Sequence, residues 1–215
     1  MKDHRTIVAE ERRERMRARL LKGAFQVLSQ FGSEAKVIDK VIKTAGVSRG
    51  TFYNYFKTNE ELFMEVSRAV SNEIIRIVDP IVLQQRDPAA RIACGLVLVI
   101  RLAKRAPFLA HFVARGGPLA MGVGNLTSYV VPREIRAGMA SGHFTIADEE
   151  LAFDLVLGPV IMAFHRIALG EISEVYSTQF AQTVLQSLGV ERKLAKEYAS
   201  VGFADIELPE HSMLK

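Results

Sequence analysis

A short polar stretch between residues 49 and 54 contains the side chains that proteins use to contact nucleic acids. Arg49 and Asn54 have the donors and acceptors that match base edges in the major groove of DNA. The hydroxyls of Thr51 and Tyr53 suit phosphate oxygens. On a helix, Arg49, Gly50, Tyr53 and Asn54 would lie together on one side.

The surrounding chain predicts two short helices joined by a tight turn. Gly46 can adopt the left-handed conformation that often follows a helix, and Ser48 can cap the helix that begins next. Phe52 and Phe56, four residues apart, would anchor the second helix on the side opposite its polar residues. The first helix has apolar residues at spacings of three and four: Val37, Val41, Ile42 and Ala45. An angled pair with a small-residue turn is also a common packing unit of all-α proteins, but packing alone does not require so many exposed polar residues.

The segment from Ala45 to Phe56 resembles the TetR family of bacterial repressors. The family motif runs approximately A-G-V-S-[KR]-G-T-[FL]-Y-x-[YH]-F, and these twelve adjoining positions match it. The similarity extends upstream through Leu21–Phe25 and Phe31-Gly32, and downstream through Asn59–Phe63, so it covers roughly the first third of the chain.

The resemblance implies a homodimer that binds a double-stranded DNA operator and a small-molecule effector. The chain has Lys36 and Val37 where the family usually has a capping Ser or Thr, and Asn59 where it usually has Lys. Lys57 can compensate for the missing Lys. The predicted DNA-binding residues are Lys36, Val37, Ser48, Arg49, Gly50, Thr51, Tyr53, Asn54, Tyr55 and Asn59.

Charge is distributed unevenly along the 215 residues. Residues 1–60 contain 13 Lys and Arg against 7 Asp and Glu, a net charge of +6, whereas the remainder contains 15 against 17, a net charge of −2. This asymmetry predicts a polyanionic partner at the N-terminal end. Five arginines between positions 12 and 19 are either a helix end that reaches the DNA backbone or a solvated face.

Cysteine content and hydropathy predict a cytoplasmic protein with no membrane partner. Cys94 is the only cysteine, so no intrachain disulfide can form. The first twenty residues lack the apolar segment of a signal peptide. The longest apolar run, Ile92–Ile100, is far shorter than the ~20 residues of a membrane span, so we expect it in a central buried helix.

The periodicity beyond the helix pair is helical, which predicts an all-α protein. The capping pair Thr58 and Glu61 begins a long helix that we expect to end at Asp79-Pro80. Residues 1–60 are interpreted as a three-helix DNA-binding domain with a helix-turn-helix, and residues 61–215 as a larger helical domain for effector binding and dimerisation. Further helices are expected at Asp87–Leu102, Leu119–Ala140, Leu151–Gly170 and Val175–Leu188. Thr145 is a possible cap of the third of these helices. The tail after the last helix is expected to fray.

Residue types for catalysis or metal binding do not fall into a recognisable pattern. The histidines show no metal-ligand spacing with each other or with Cys94, and no cofactor is expected. The Gly122-Val123-Gly124 segment follows no predicted strand, so a dinucleotide site is not indicated. An enzyme is therefore not predicted.

Several polar and aromatic residues are embedded in the apolar helices of the second region. Each alone is typical of a core or surface residue, but together they suggest an apolar cavity with a few orienting polar groups. The predicted effector-binding residues are Arg101, His111, Phe112, Met121, Asn125, Tyr129, Phe164 and His165. We expect a largely apolar or aromatic effector with one polar or anionic end.

These patterns favour a ligand-responsive transcriptional repressor that binds a palindromic operator. The helix beginning at Thr58 would transmit the effector signal, because it belongs to both domains. A different class of protein, a helical ligand-binding or scaffold protein that has lost DNA binding, is the alternative, and Lys36, Val37 and Asn59 are the residues that favour it.

Overall fold

The computed structural model describes residues 4–32, 37–121, 126–170, 172–204 and 206–215, and all regular structure within these ranges is helical. The predicted residues Lys36 and Asn125 lie outside the described residues, as does the side chain of Met121. The helices are α1 His4–Phe31, α2 Val37–Ala45, α3 Arg49–Tyr53, α4 Asn59–Val82, α5 Pro88–Arg105, α6 Pro107–Gly116, α7 Thr127–Ala140, α8 Glu149–Ala168, α9 Tyr176–Ser187 and α10 Arg192–Ala199, with a 3-10 helix at Gly117–Met121. The all-α fold class is confirmed.

The first three helices form a small head around an aromatic core. Gly46 has a φ of +60°, which lets the chain turn between α2 and α3. Phe52 and Phe56 are at most 1% exposed, and their rings lie 5.8 Å apart. They pack with Leu20 and Phe25 of α1 in the continuous buried core. The predicted helix pair is therefore present, anchored on its aromatic side.

Helix α4 begins in the head and continues into the remainder of the molecule. The hydroxyl of Thr58 accepts the Glu61 N–H at 3.1 Å, and the Glu61 carboxylate accepts the Lys57 N–H at 2.6 Å, which confirms the predicted cap. The helix does not end at Pro80 as the sequence suggested, but continues to Val82. A proline in the last turn removes only one intrahelical hydrogen bond, so the helix tolerates it there.

The larger part, called the body here, comprises α5 to α10 packed around α5. Most of α5 between Ala89 and Ala103 is buried, which confirms the predicted central helix. Asp87 caps it by accepting the Ala90 N–H at 2.9 Å. The cap of α8 is Asp148, whose carboxylate accepts the Leu151 N–H at 2.7 Å, so the expected cap Thr145 is wrong. Thr145 instead donates its backbone N–H to Leu188 at 3.1 Å, next to the end of α9.

Helix α8 and the segment that leads into α9 retain a large apolar surface. Leu151, Met162, Leu169 and Val175 are each more than half exposed. Among the described residues, α8 also has the length and apolar composition of a membrane span. One such helix is weak evidence of a membrane protein, because apolar helices of soluble proteins have the same properties. An exposed apolar face of this kind is typical of a protein interface.

The segment after α10 is packed rather than frayed, contrary to expectation. Phe203, Ile206 and Leu214 are 8%, 7% and 2% exposed. Each follows polar or turn residues, so the helical period that the sequence analysis relied on is absent here. The burial of isolated apolar side chains by distant helices is not visible in a local pattern.

Candidate DNA-reading surface and effector cavity

Helix α3 presents the predicted base-reading residues on its exposed side. Arg49, Gly50 and Asn54 are exposed, whereas Thr51 and Tyr53 are partly buried. The hydroxyl of Ser48 accepts the Thr51 N–H at 3.0 Å, which caps the helix, and lies 2.8 Å from the Thr51 hydroxyl. The first turn of α3 is therefore fixed, with its polar side available to a ligand.

The Arg49 side chain contacts two neighbouring residues, Asp39 and Tyr53. Its Nη1 lies 3.1 Å from Oδ1 of Asp39 on α2, and its guanidinium carbon lies 5.9 Å from the centre of the Tyr53 ring. About two thirds of each charged side chain remains exposed, at 66% for Arg49 and 64% for Asp39. The guanidinium thus has a preferred position while most of its donors face solvent.

Three other predicted DNA-binding residues are more enclosed. Val37 is 2% exposed and belongs to the core of the head, so its side chain cannot reach DNA, and this part of the prediction is corrected. The Tyr55 hydroxyl donates to the Arg13 carbonyl oxygen at 3.4 Å. Asn59 is partly buried, and its Oδ1 is enclosed without a hydrogen-bond partner. Lys57, considered as a substitute for the missing Lys, donates to the Tyr53 carbonyl oxygen at 2.6 Å.

Three arginines of α1 have partners within the protein. Arg19 donates to the Gly46 carbonyl oxygen at 2.9 Å, which ties α1 to the turn between α2 and α3. Arg17 pairs with Glu65 of α4, and Arg15 lies 3.9 Å from Glu11. These three side chains therefore stabilise the head, whatever additional contact their exposed parts make with DNA.

An apolar cavity of about 100 Å3 lies in the body between α4, α5, α7 and α8. An engineered apolar cavity of roughly 150 Å3 is large enough to hold benzene. The cavity in this protein is smaller than that, so it has room for no more than one aromatic ring. Its apolar lining consists mainly of Val70, Ile74, Val78, Ile92, Leu96, Val99, Val130, Val131, Val156, Val160 and Phe164.

Polar groups are found at two positions on the cavity wall. At one, the hydroxyls of Ser71 and Thr127 lie 2.8 Å apart, and both residues are buried. At the other, Glu134, whose side chain is 4% exposed, lies 3.4 Å from Arg91 and 2.7 Å from Arg133. Arg133 also contacts Asp79 of α4 at 2.7 Å. The two positions are seven residues apart on α7, roughly 10 Å along the helix axis.

Most of the predicted effector-binding residues lie away from this cavity. Phe164 is the one described member of that set that lines it. Arg101 donates to the Phe203 carbonyl oxygen at 3.0 Å, His111 is partly buried on α6, and Tyr129 and His165 are exposed. The prediction selected conspicuous aromatic and basic residues, and of these Tyr129 and His165 face solvent.

Phe112 marks the junction between the head and the body. Its ring packs edge-on against Phe25 of α1 and stacks on Phe63 of α4, with both pairs of ring centres 5.5 Å apart. Together with Asn59 and Phe63 it borders a separate opening of about 420 Å3 between α1, α4 and α6. Phe112 therefore contacts the head directly and does not line the apolar cavity.

Three polar residues of the cavity wall are absent from the predicted set: Ser71, Thr127 and Glu134. A signal existed for Ser71, because Ser67 and Ser71 interrupt the apolar face of α4 at a spacing of four residues. Glu134 gave no such signal, since a glutamate in a short helix is usually solvated. Within the described ranges, no three His, Cys, Asp or Glu side chains are placed to hold a metal ion.

The head and the body together define the class of helix-turn-helix transcriptional regulators. A family model described as bacterial regulatory proteins, tetR family, matches residues 20–66. A second, described as the C-terminal domain of tetracyclin repressor-like proteins, matches residues 87–201, more than half of the chain. The chain therefore belongs to the TetR family, whose members are regulators that bind DNA operators and small-molecule ligands.

Individual relatives are similar over different lengths. YhgD, an uncharacterized HTH-type transcriptional regulator of Bacillus subtilis strain 168, is 38% identical over 60 residues, which are 28% of this chain and 31% of YhgD. The match to this curated relative thus spans about a third of its length. Among solved structures, the crystal structure of RolR without ligand is similar to this chain, with 27% sequence identity and a TM-score of 0.71. The similarity covers 88% of this chain and 100% of the RolR chain. RolR in complex with resorcinol has 24% identity and a TM-score of 0.64, with 92% and 100% covered.

Proposed function

We propose that this protein is a homodimeric repressor that a small, neutral, largely aromatic molecule releases from a near-palindromic operator. The observation that carries the proposal is the course of α4. Its capped first turn adjoins the head, and its second half, from Val70 to Val82, lines the effector cavity. A ligand that displaces this half of α4 also changes the position of α3.

The exposed apolar surface supports a homodimer formed through α8 and α9. Met162 on α8 is 56% exposed, Leu169 just after α8 is 59% exposed, and Val175 just before α9 is 58% exposed. A two-fold dimer would bury these residues in a shared helical interface. Two copies of α3 would then lie in successive major grooves about 34–36 Å apart, or a multiple of that distance, which requires a near-palindromic operator.

The chemistry of the cavity supports a neutral effector rather than an anion. Arg91 and Arg133 are already engaged with Glu134 and Asp79, so an anionic ligand would have to compete with these carboxylates. The Ser71 and Thr127 hydroxyls can instead bind a hydroxyl or carbonyl group. RolR, which shares the fold, was solved with resorcinol. A single ring that carries one or two hydroxyls therefore matches the cavity in polarity, and widening of the cavity to admit it would displace α4.

Release follows from the two-state coupling between the cavity and the head. A ligand that binds the displaced position of α4 more tightly lowers the DNA affinity by the ratio of its affinities for the two states. We expect release rather than recruitment, because displacement of α4 alters the fixed separation that two copies of α3 need on one operator.

Direct binding experiments test the proposal. Fluorescence anisotropy with DNA from upstream of the gene should show specific binding that weakens steeply as salt concentration rises. Resorcinol is the first probe to test for release. Ser71→Ala should reduce the response to an active phenol, and Tyr129→Ala, on an exposed residue of α7, is the matched control. Absence of salt-dependent binding to any upstream fragment would refute the repressor function.

A further inference from the structure

The final segment, residues 206–215, lies in the groove between the head and α4. Lys22 of α1 donates to the Ser212 carbonyl oxygen at 3.1 Å. The Ser212 hydroxyl donates to the Glu73 carboxylate of α4 at 2.5 Å, and the Met213 N–H lies 3.2 Å from the same carboxylate. Ser212 and Leu214 are 3% and 2% exposed. A single short segment is thus bonded to both α1 and α4.

The chain that leads into this segment is fixed to the body. Arg101 of α5 donates to the Phe203 carbonyl oxygen at 3.0 Å, and Arg105 of α5 donates to the Ile206 carbonyl oxygen at 3.2 Å. Both apolar side chains are buried, with Phe203 8% and Ile206 7% exposed. The segment therefore connects α5 in the centre of the body to α1 in the head.

Glu73 lies close in sequence to the residues that face the effector cavity. Ser71 and Ile74 of α4 line the cavity, while Glu73 is directed to the groove with the final segment. Between them, Asn72 accepts the Leu126 N–H at 2.8 Å, next to the start of α7. Because a helix moves largely as a rigid unit, displacement of α4 at the cavity also displaces the Glu73 carboxylate.

We propose that residues 206–215 form a latch that holds the head in its DNA-binding position, with Ser212 and Glu73 as the positioning residues. The latch lies beyond residue 201, where the match to the C-terminal family model ends. This inference rests on the proposed repressor function and adds a second connection between body and head. Effector binding then acts on both connections, because Glu73 belongs to the helix that the effector displaces.

The latch acts on the population of the binding-competent head position. Without the hydrogen bonds of Ser212 and Met213 to Glu73, the head samples more positions relative to the body. The apparent dissociation constant for DNA rises in inverse proportion to the competent fraction. Effector affinity rises in the same variants, because the effector favours the displaced position of α4 that the latch opposes.

A truncated chain and two point variants test the latch. Removal of residues 208–215, and the variants Glu73→Ala and Ser212→Ala, should each weaken operator binding by roughly three- to ten-fold. Binding of an active phenol, measured by calorimetry, should become tighter, because these variants lose contacts that oppose the displaced position of α4. Glu210→Ala is the matched control, because it removes an exposed carboxylate from the same segment. Unchanged operator affinity in the truncated chain, with intact helical content, would overturn the proposal.

Amide hydrogen exchange tests the latch without any requirement for DNA binding. Exchange in α1 between residues 20 and 28 should be faster in the truncated chain and in Glu73→Ala than in the wild type and Glu210→Ala. Exchange reports on the head without DNA, so it also decides the question if the wild-type protein binds no operator. Equal exchange in all four proteins would exclude the latch, whatever the outcome of the DNA-binding experiments.

Discussion

The head and the body hold their functional residues in opposite ways. In the head, the candidate DNA contacts come from one short stretch, residues 48–54, and most of them are exposed. In the body, the cavity is built from buried residues on α4, α5, α7 and α8, far apart in sequence. A surface that must match DNA leaves a local motif, whereas a cavity that must match a small molecule depends on how distant helices pack.

The largest expected effect breaks the dimer and tests whether the head can act without a partner. Met162→Glu places a charge on the exposed apolar face of α8 and should convert the protein to a monomer, as measured by light scattering. Loss of the second DNA contact should lower operator affinity on the order of a hundred-fold or more. Val201→Glu, a charge on another exposed apolar residue, is the control and should remain dimeric. A Met162→Glu protein that stays a dimer would place the interface elsewhere.

The second-largest expected effect is on the stability of the body and on its response to the effector. Phe164 is 1% exposed and lines the cavity, so Phe164→Ala should lower the free energy of unfolding by about 3–5 kcal/mol, as measured by urea denaturation. The folded fraction should keep its operator affinity but respond less to the effector. Phe31→Ala, which truncates a ring that is 41% exposed, should cost much less. A full effector response in Phe164→Ala would show that the effector binds outside the cavity.

The third expected effect is on the affinity of the head for its operator. Arg49→Ala should weaken operator binding by roughly 1–3 kcal/mol and relax the sequence preference at one position of each half-site. Arg192→Ala, which removes an exposed arginine of α10, is the control. The effector affinity of Arg49→Ala should equal that of the wild type. A uniform loss of affinity for all DNA sequences would instead identify Arg49 as a phosphate contact.

The smallest effect concerns the ion pair between α2 and α3. Asp39 restrains the Arg49 guanidinium and would place a negative charge near the backbone of DNA bound to α3. Asp39→Asn should raise affinity for random-sequence DNA by about a few-fold and reduce the ratio of specific to random binding. Glu60→Gln, a similar exposed change at the start of α4, controls for net charge. An unchanged ratio would show that Asp39 does not position Arg49.

The accuracy of the sequence analysis follows the same division between head and body. The turn at Gly46, the Ser48 cap and the Thr58–Glu61 cap are local features, and all three are present. Val37 was misjudged because its position in the motif suggested a contact, although an apolar side chain at the start of a short helix is better buried.

The errors in the body arose where tertiary packing decides the outcome. Tyr129 and His165 are conspicuous in sequence but exposed, whereas Glu134 is ordinary in sequence but buried between two arginines. The final segment was expected to fray because its apolar residues have no period. Their burial depends on a groove that exists only after α1, α4 and α5 have packed.

Burial of Cys94 has a practical consequence for measurements of this protein. The side chain is 0% exposed, and burial raises the pKa of its thiol to about 12, although Arg101 acts in the opposite direction. The thiol therefore stays protonated and inaccessible near neutral pH. Since this is the only cysteine of the chain, a cysteine introduced at exposed Lys43 provides a unique attachment point for a spin label or dye. Distances between the two heads of a dimer become measurable without removal of any native residue.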